Sequence, residues 1–241
     1  MIDVHLCMVT WDRLSYTKQA LKSLMKQKNK DWKLTIVDNG SLDGTVDYLK
    51  TLKDERIDIV LWEENKGLST ATDYVFGRAT SKYIGRVDND IILPVNWLDR
   101  CLQAHEAYDN FGFIGGFHFK SEDLAERQPK PSEFNGVEVW EKQHIGGCSF
   151  LLRRKNYKEK IGGQGVMGLT DYQLAWKEQG FVNGYLYPLV YVQHLEDPRE
   201  PHHIDTEEYD NTSLRVRGVA GQDWINQQSD RDRFHLDENI C

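Results

Sequence analysis

The most restrictive feature of the sequence is an alternation of short apolar runs with segments of helical spacing. Largely apolar runs occupy residues 4–9, 34–37, 57–62 and 83–87. Between these runs the apolar side chains recur at helical spacing, as over residues 68–79. Apolar strands separated by helices are typical of a parallel sheet that helices cover on both faces. The first half of the chain is therefore predicted to have an α/β fold with a mostly parallel central sheet.

A polar cluster follows each of these four runs. The clusters occupy residues 10–13, 38–43, 63–67 and 88–90. In open α/β sheets, ligands bind outside the carboxyl ends of the strands. The pattern therefore predicts one polar edge of the sheet, built from four strand ends, at which a ligand would bind.

The second half of the chain has a looser pattern. A helix is predicted over residues 97–107 and a strand over 111–117, and the polar residues 118–142 are interpreted as an insertion or mobile loop. Further strands are predicted at CSFLLRR and at YLYPLVYVQH. A Gly-rich loop, IGGQGVMGLT, and a short helix that ends at Gly180 lie between them.

These patterns fit one large domain with two closely packed halves and a tail. We expect the first half at residues 1–117, the second at 118–194, and a polar C-terminal tail or lid at 195–241. The sequence leaves three roles open for the tail, namely a lid, the arm of a homodimer, or a disordered segment. The chain contains no internal repeat.

The composition describes an acidic, soluble chain. Its formal net charge of -8 argues against a surface that neutralises long tracts of nucleic-acid phosphate. No run approaches the roughly 18 apolar residues of a membrane helix, and residues 1–10 lack the features of a signal peptide, so a cytoplasmic location is expected. The 4 cysteines, Cys7, Cys101, Cys148 and Cys241, lack C-x-x-C spacing, which predicts buried, reduced thiols.

Two aspartates, Asp88 and Asp90, follow the fourth apolar run with one residue between them. In an extended chain residues i and i+2 point to the same face, so both carboxylates would face one point while Asn89 faces the other way. Two adjacent like charges favour a bound cation between them. The alternative is a loop in which Asp and Asn only satisfy the backbone of a turn.

Three other motifs indicate different structures or functions. The Asn39-Gly40 pair is a hairpin signal, but residues 46–54 have helical spacing, which favours a strand-loop-helix unit. LDGTV is similar to the D-x-D-G-T motif of haloacid dehalogenase-like hydrolases, yet Ser41 stands where their nucleophilic aspartate would be. The match of residues 163–168 to G-x-G-x-x-G lacks a preceding strand and a following helix, so a flexible loop is favoured.

Several motifs in a fixed order give a more specific indication. They are TIVDNGSLDGT after a T-W-D-R loop, then NKGLSTATD, the D-N-D triplet, GGCSFLLRR and LTDYQLAW. Together they resemble family 2 of the inverting glycosyltransferases, which have the GT-A fold. The resemblance extends from Val4 to about His194 and implies a nucleotide-sugar-binding first half and an acceptor-binding second half.

The resemblance implies a nucleotide site at the polar edge. Asp38 would accept a hydrogen bond from the base, and the T-W-D-R loop would pack against base and ribose. The chain departs from the family pattern at Asp12, Asp73 and Tyr74, which leaves some base and phosphate contacts open. The implied nucleotide-binding residues are Thr10, Trp11, Asp12, Arg13, Asp38, Asn65, Gly67, Asp88 and Asn89.

The resemblance also implies a metal site and a catalytic base. Asp88 would lie towards ribose and metal, with Asp90 as a direct ligand of Mn²⁺ or Mg²⁺. His194 aligns with a histidine that some GT-A enzymes add to the metal shell, although a histidine at a strand end can also be structural. Asp171 stands at the aspartate of the family's E-D motif, with Thr170 in place of the usual glutamate, and would act as general base. The alternative is that Thr170 or Asp171 is the N-cap of the following helix.

The expected activity is transfer of a sugar, with inversion, from a nucleotide sugar such as a UDP-sugar to an acceptor hydroxyl. A catalytically silent glycan- or nucleotide-binding protein of the same fold is the alternative. A sugar nucleotidyltransferase is disfavoured, because the loop at residues 10–13 lacks the glycines of a pyrophosphorylase loop. The acceptor stays open among a glycan, a lipid-linked glycan, a protein and a modified nucleic acid. Trp140, in the polar stretch, is a candidate contact for it.

Overall fold

The computed structural model describes residues 3–120, 128–157 and 168–203. The first half contains β1 (Val4–Thr10), α1 (Leu14–Met25), β2 (Trp32–Asn39), α2 (Thr45–Thr51), β3 (Ile57–Trp62), α3 (Leu68–Arg78), β4 (Tyr83–Val87), β5 (Ile91–Ile92), α4 (Trp97–Ala107) and β6 (Phe111–Gly115). The second half contains β7 (Ser132–Phe134), β8 (Val137–Lys142), β9 (Ser149–Arg153), α5 (Arg154–Asn156), α6 (Leu169–Glu178), β10 (Val182–Tyr187) and β11 (Gln193–His194).

Within the described residues, nine strands form the main sheet in the order β3-β2-β1-β4-β9-β6-β10-β8-β7. Strands β8 and β9 run opposite to the other seven, so the sheet is mostly parallel in direction. Consequently β1, β2, β3 and β4 end at the same edge, which confirms the predicted polar edge. A separate two-stranded antiparallel pair joins β11 to β5 beside that edge.

The sheet separates two hydrophobic clusters, because alternate residues of each strand face opposite sides. On β1, Leu6 and Met8 pack in one cluster with α1 and α4, whereas Cys7 packs in the other with α3 and α6. Both clusters contain fully buried aromatic side chains, such as Trp97 in the first and Trp176 in the second. This double coverage is what the continuous apolar strands predicted.

Two predictions for the second half were wrong. The polar stretch at residues 118–142 contains the antiparallel pair β7 and β8, and β8 pairs with β10 at the end of the main sheet. Asn135 and Gly136 turn the hairpin at φ values of 49° and 85°, the left-handed conformations that Asn-Gly turns provide. The strand expected over residues 185–194 is interrupted. β10 ends at Tyr187, before Pro188, and β11 begins at Gln193.

Several expectations fall partly outside the described residues. These are most of the Gly-rich loop, Cys241 and the part of the tail beyond residue 203. Of the cysteines that are described, Cys7, Cys101 and Cys148 are buried and carry no disulfide. None of the described helices is long and apolar enough to cross a membrane.

Candidate functional site

The loops that follow β1 and β2 are joined through Asp12. Its amide donates to the Ser41 hydroxyl at 2.7 Å, and its carboxylate accepts from the Leu42 amide at 2.6 Å. Asp12 and Arg13 both have positive φ, 55° and 66°, which is uncommon for residues other than glycine. The structure therefore places the Asp12 carboxylate in the contact between the two loops, where it fixes the backbone that presents Arg13.

Asp38 lies at the end of β2 and is fully buried. Its carboxylate accepts hydrogen bonds from Thr10 Oγ1 at 2.9 Å, the Ser41 amide at 3.0 Å and Ser41 Oγ at 2.5 Å. These contacts orient the carboxylate at the junction of β1 and β2. An ionised carboxylate has about four acceptor positions, so the three bonds leave capacity for one more donor.

The loop before α3 is held by two asparagine side chains. Asn39 Nδ2 donates to Asn65 Oδ1 at 2.7 Å, and the same oxygen accepts from the Gly67 amide at 2.9 Å. Gly67 has φ 87° and ψ 154°, a conformation that is essentially restricted to glycine. Asn65 and Gly67 therefore fix the point at which α3 begins at the polar edge. Trp11, in the neighbouring loop, is half-buried.

The D-N-D triplet begins directly after β4, and its members point in different directions. Asp88 Oδ1 lies 2.9 Å from Nε of the buried Arg86, whose Nη2 also donates to the Gly147 carbonyl at 2.7 Å. Asn89 is buried and donates to Thr17 Oγ1 on α1 at 3.1 Å. The Asn89 side chain is therefore directed towards α1, away from the two carboxylates.

Asp90 lies beside His194, which follows it in the chain by 104 residues. Strand β11 pairs with β5, and the Leu195 amide donates to the Asp90 carbonyl at 2.8 Å. This pairing places His194 Nε2 4.0 Å from Asp90 Oδ1 and also brings in Glu196. Asp90, His194 and Glu196 each offer a ligand atom, and these atoms lie within 4.8 Å of one another.

The donor atoms of this cluster suit a divalent cation such as Mn²⁺, since they comprise two carboxylates and an imidazole. Asp90 Oδ1 is buried and has no hydrogen-bond partner among the described residues. The other carboxylate oxygen, Oδ2, accepts from Arg13 Nη1 at 3.1 Å, and Arg13 also forms an ion pair with Glu196. One oxygen of Asp90 is thus oriented by the protein while the other faces the cluster.

The charges of the site shift the pKa values of its members. Burial, reinforced by the charge of Asp90, raises the pKa of Asp88 to about 6, although Arg86 opposes this. Burial and Asp90 also raise the pKa of Glu196. Burial disfavours the imidazolium form of His194, but the surrounding carboxylates outweigh it and raise the pKa of this residue. The site therefore has an excess of negative charge that a cation would relieve.

Asp171 lies in the first turn of α6 and is exposed. The N-cap of α6 is Gly168, so the alternative that Thr170 or Asp171 is the N-cap is wrong. A Cβ atom built on Gly147 would lie 2.1 Å from Leu169 Cδ2, so the start of α6 packs closely on Gly147. Since Arg86 binds both Gly147 and Asp88, the first turn of α6 lies on the Asp88 side of the polar edge.

Residues 195–203, at the start of the predicted tail, contact the site and the loop residues beside it. Glu200 is buried and accepts hydrogen bonds from the Tyr191 hydroxyl and from Lys120, the latter at 2.8 Å. His203 Nδ1 donates to the Leu195 carbonyl at 3.0 Å.

Trp140, the candidate acceptor contact, is half-buried on β8 in an aromatic cluster with Phe117 and Tyr185.

The sequence reasoning missed Glu196, although a signal was present. His194 and Glu196 repeat the i, i+2 spacing of Asp88 and Asp90 at the end of an apolar run. Arg86 was also missed, because a buried arginine inside an apolar strand has no local signature. Arg13 was assigned to the nucleotide, whereas the structure places its guanidinium against Asp90 and Glu196.

Comparison with solved structures defines the class of fold. A mannosyltransferase from Pyrobaculum calidifontis, solved with GDP-Man and Mn²⁺, superposes with a TM-score of 0.63 at 18% identity, covering 83% of this chain and 59% of that one. S. aureus TarS residues 1–349, in complex with UDP-GlcNAc, gives a TM-score of 0.60 at 14% identity, covering 79% and 58%. The fold is therefore the GT-A fold of glycosyltransferases.

The family follows from the sequence. The model of glycosyl transferase family 2 matches residues 6–167, more than half of the chain, and the protein belongs to this family. A proposed teichuronic acid biosynthesis glycosyltransferase of Bacillus subtilis is 34% identical over 83 residues, which is 34% of this chain. The chain spans about a third of the length of that relative, since the match covers 33% of it.

Proposed function

We propose that this protein is an inverting glycosyltransferase that moves a sugar from a nucleotide-sugar donor to an acceptor hydroxyl, with a divalent cation bound by Asp90, His194 and Glu196. The observation that carries the proposal is the convergence of these three side chains at the polar edge of a GT-A fold. The buried Asp90 Oδ1, which has no hydrogen-bond partner among the described residues, supports it.

The ligand chemistry favours Mn²⁺ over Mg²⁺, because Mg²⁺ prefers a shell of oxygen atoms and an imidazole suits Mn²⁺ better. When bound, the cation would neutralise the nucleoside diphosphate as it leaves. Asp88, which is held by Arg86 and kept apart from the three-residue cluster, fits a role towards the ribose. The mannosyltransferase of similar fold was solved with Mn²⁺, which supports a divalent cation as the cofactor.

The nucleotide would bind across the ends of β1 and β2. Asp38 would accept a hydrogen bond from a ring N–H of the base, which both uracil and guanine can donate. Thr10 and Ser41 hold the carboxylate in place for this contact, and Trp11 offers a stacking surface. A UDP-sugar is our first candidate donor. The proteins of similar fold were solved with GDP-Man and with UDP-GlcNAc, so both bases belong in the test.

Asp171 would act as the general base. It would take the proton from the acceptor hydroxyl as that oxygen attacks the anomeric carbon opposite the leaving diphosphate. Asp171 lies in the first turn of α6 and is exposed, so an acceptor hydroxyl could reach its carboxylate. The acceptor would approach from the second half, and it is a glycan, a lipid-linked glycan, a protein or a modified nucleic acid.

Donor binding can be tested by thermal unfolding with UDP and GDP, each with and without Mn²⁺. A ligand that binds only the folded state raises the midpoint. We expect one diphosphate to raise it mainly when Mn²⁺ is present, and Asp90→Asn to remove that increase. Asp197→Asn is the matched control, because Asp197 pairs with Arg199 outside the cluster. No metal-dependent increase with either diphosphate would contradict the proposed site.

A catalytically silent binding protein of the same fold would show the same midpoints of thermal unfolding. It differs in turnover, because an enzyme would release nucleoside diphosphate from its nucleotide sugar once an acceptor is supplied. Asp171→Asn should slow that release by about 10²–10⁴-fold and leave the diphosphate-dependent midpoint in place. Metal-dependent binding without release on any acceptor of the four classes would favour the silent protein.

A further inference from the structure

Arg13 lies between the predicted nucleotide loop and the acidic cluster. Its Nη1 donates to Asp90 Oδ2 at 3.1 Å and its Nη2 forms an ion pair with Glu196 Oε1. The three side chains are 14%, 13% and 21% exposed, so solvent screens the pairs only partly. One guanidinium therefore contacts two of the three groups that would bind the cation.

The position of Arg13 is set by the backbone that precedes it. Asp12 and Arg13 adopt successive left-handed conformations, which Asp12 stabilises through Ser41 and Leu42. The Arg13 side chain then passes over the ring of Tyr16, with its guanidinium carbon 5.4 Å from the ring centroid. Because non-glycine residues rarely occupy this conformation, the surrounding structure must hold it in place.

A guanidinium and a divalent cation compete for the carboxylates of this cluster. Both are attracted to the Asp90 and Glu196 carboxylates, and a metal bound there would lie within a few ångströms of a permanent positive charge. A diphosphate offers that charge another partner, because arginine binds phosphate oxygens through two parallel hydrogen bonds. The loop that carries Arg13 follows β1, where the nucleotide is proposed to bind.

We propose that Arg13 couples donor binding to metal binding. Without a donor, its guanidinium occupies the Asp90 and Glu196 carboxylates and competes with the divalent cation. When a nucleoside diphosphate binds, the guanidinium transfers its hydrogen bonds to the diphosphate, and the two carboxylates become available to the metal. This inference rests on the proposed function and adds an order to it, in which the cation binds well only together with the donor.

The test is calorimetric titration of Mn²⁺ into the full chain, with and without saturating UDP or GDP. For the wild type we expect weak binding of Mn²⁺ alone and binding at least about tenfold tighter with the diphosphate, a usual size for coupling between two ligands. Arg13→Gln should bind Mn²⁺ alone about tenfold more tightly than the wild type. The further increase in Mn²⁺ affinity that the diphosphate gives this variant should be correspondingly smaller.

Three further variants separate charge from structure. Arg13→Met keeps an unbranched, uncharged side chain over Tyr16 and should behave like Arg13→Gln. It provides the same test if Arg13→Gln does not fold. Arg13→Lys retains the positive charge and should stay near the wild-type affinity for Mn²⁺ alone. Arg199→Gln is the matched control, since Arg199 pairs with Asp197 in the same segment, and it should leave both affinities unchanged.

The outcomes distinguish this inference from the proposed function. If the wild type binds Mn²⁺ with the diphosphate but both neutral Arg13 variants bind Mn²⁺ alone no better than the wild type, the coupling role is refuted and the metal site stands. If Mn²⁺ alone binds the neutral variants tightly while Arg13→Lys and Arg199→Gln resemble the wild type, the inference is supported. If the wild type binds no Mn²⁺ under either condition, the proposed metal site fails and this inference fails with it.

Discussion

Asn183, at the start of β10, connects β6, the residue after β8 and α6 through one buried side chain. Its Oδ1 accepts from the Phe113 amide at 2.9 Å, and its Nδ2 donates to the carbonyls of Gln143 and Gln173 at 3.1 and 3.0 Å. Asn183 has no exposed surface. Because Gln173 belongs to α6, this contact helps to fix the helix that carries Asp171.

We expect Asn183→Asp to destabilise the protein strongly at neutral pH. The introduced carboxyl keeps the acceptor for Phe113 but replaces the amide donor with an oxygen that faces two carbonyls. Losing the two hydrogen bonds that Nδ2 donates costs about 0.5–1.5 kcal/mol each, or about 1–3 kcal/mol together, and the buried charge of the carboxylate adds to this cost. A protonated carboxyl can donate to one of the two, so the loss should be smaller at pH 4.5 than at pH 7.5.

Urea unfolding at the two pH values measures this effect as a change in the free energy of unfolding. Asn110→Asp is the matched control, because Asn110 is exposed beside β6 and surface changes usually stay within about 0.5 kcal/mol. If Asn183→Asp were as stable as Asn110→Asp at pH 7.5, with the same dependence on urea, the hydrogen bonds of Asn183 would not stabilise the fold as argued.

Three further predictions concern the site and the response to pH. Glu196→Gln should weaken Mn²⁺ binding by at least about 10–100-fold in calorimetry, because loss of a group that only orients a metal ligand already costs that much, while Asp197→Asn should leave it unchanged. Asp171→Asn should lower kcat by about 10²–10⁴-fold with little change in donor affinity, and a change confined to KM would contradict a role as base. Burial lowers the pKa of His105 to about 4, whereas an unperturbed histidine in the unfolded chain has a pKa of about 6.5. As the pH drops below about 6.5, the unfolded state therefore binds a proton before the folded state does, and the free energy of unfolding falls. In His105→Gln, the loss of unfolding free energy between pH 7 and pH 5 should be smaller by up to about 2 kcal/mol, and an equal loss in both proteins would refute this.

The first half of the fold could be predicted from the sequence because its signals are local. β1 to β4 and the helices between them lie close to where the apolar runs and helical spacing put them. At Asn39-Gly40 the helical spacing that followed correctly outweighed the hairpin signal. The same dipeptide at Asn135-Gly136 does form a hairpin, and this was missed because the short flanking strands are rich in charged residues.

The sequence by itself determined the class of fold, the polar edge and most of the candidate residues, because strand and helix periodicity act over a few residues. Only the tertiary structure decided which of those residues meet. Arg13 and Asp90 are 77 residues apart, and Glu196 reaches them through the pairing of β11 with β5. Such contacts depend on strand order and on two left-handed residues in a loop, which local patterns do not encode. The grouping of Asp90, His194 and Glu196, with Arg13 paired to two of them, is therefore a property of the folded chain.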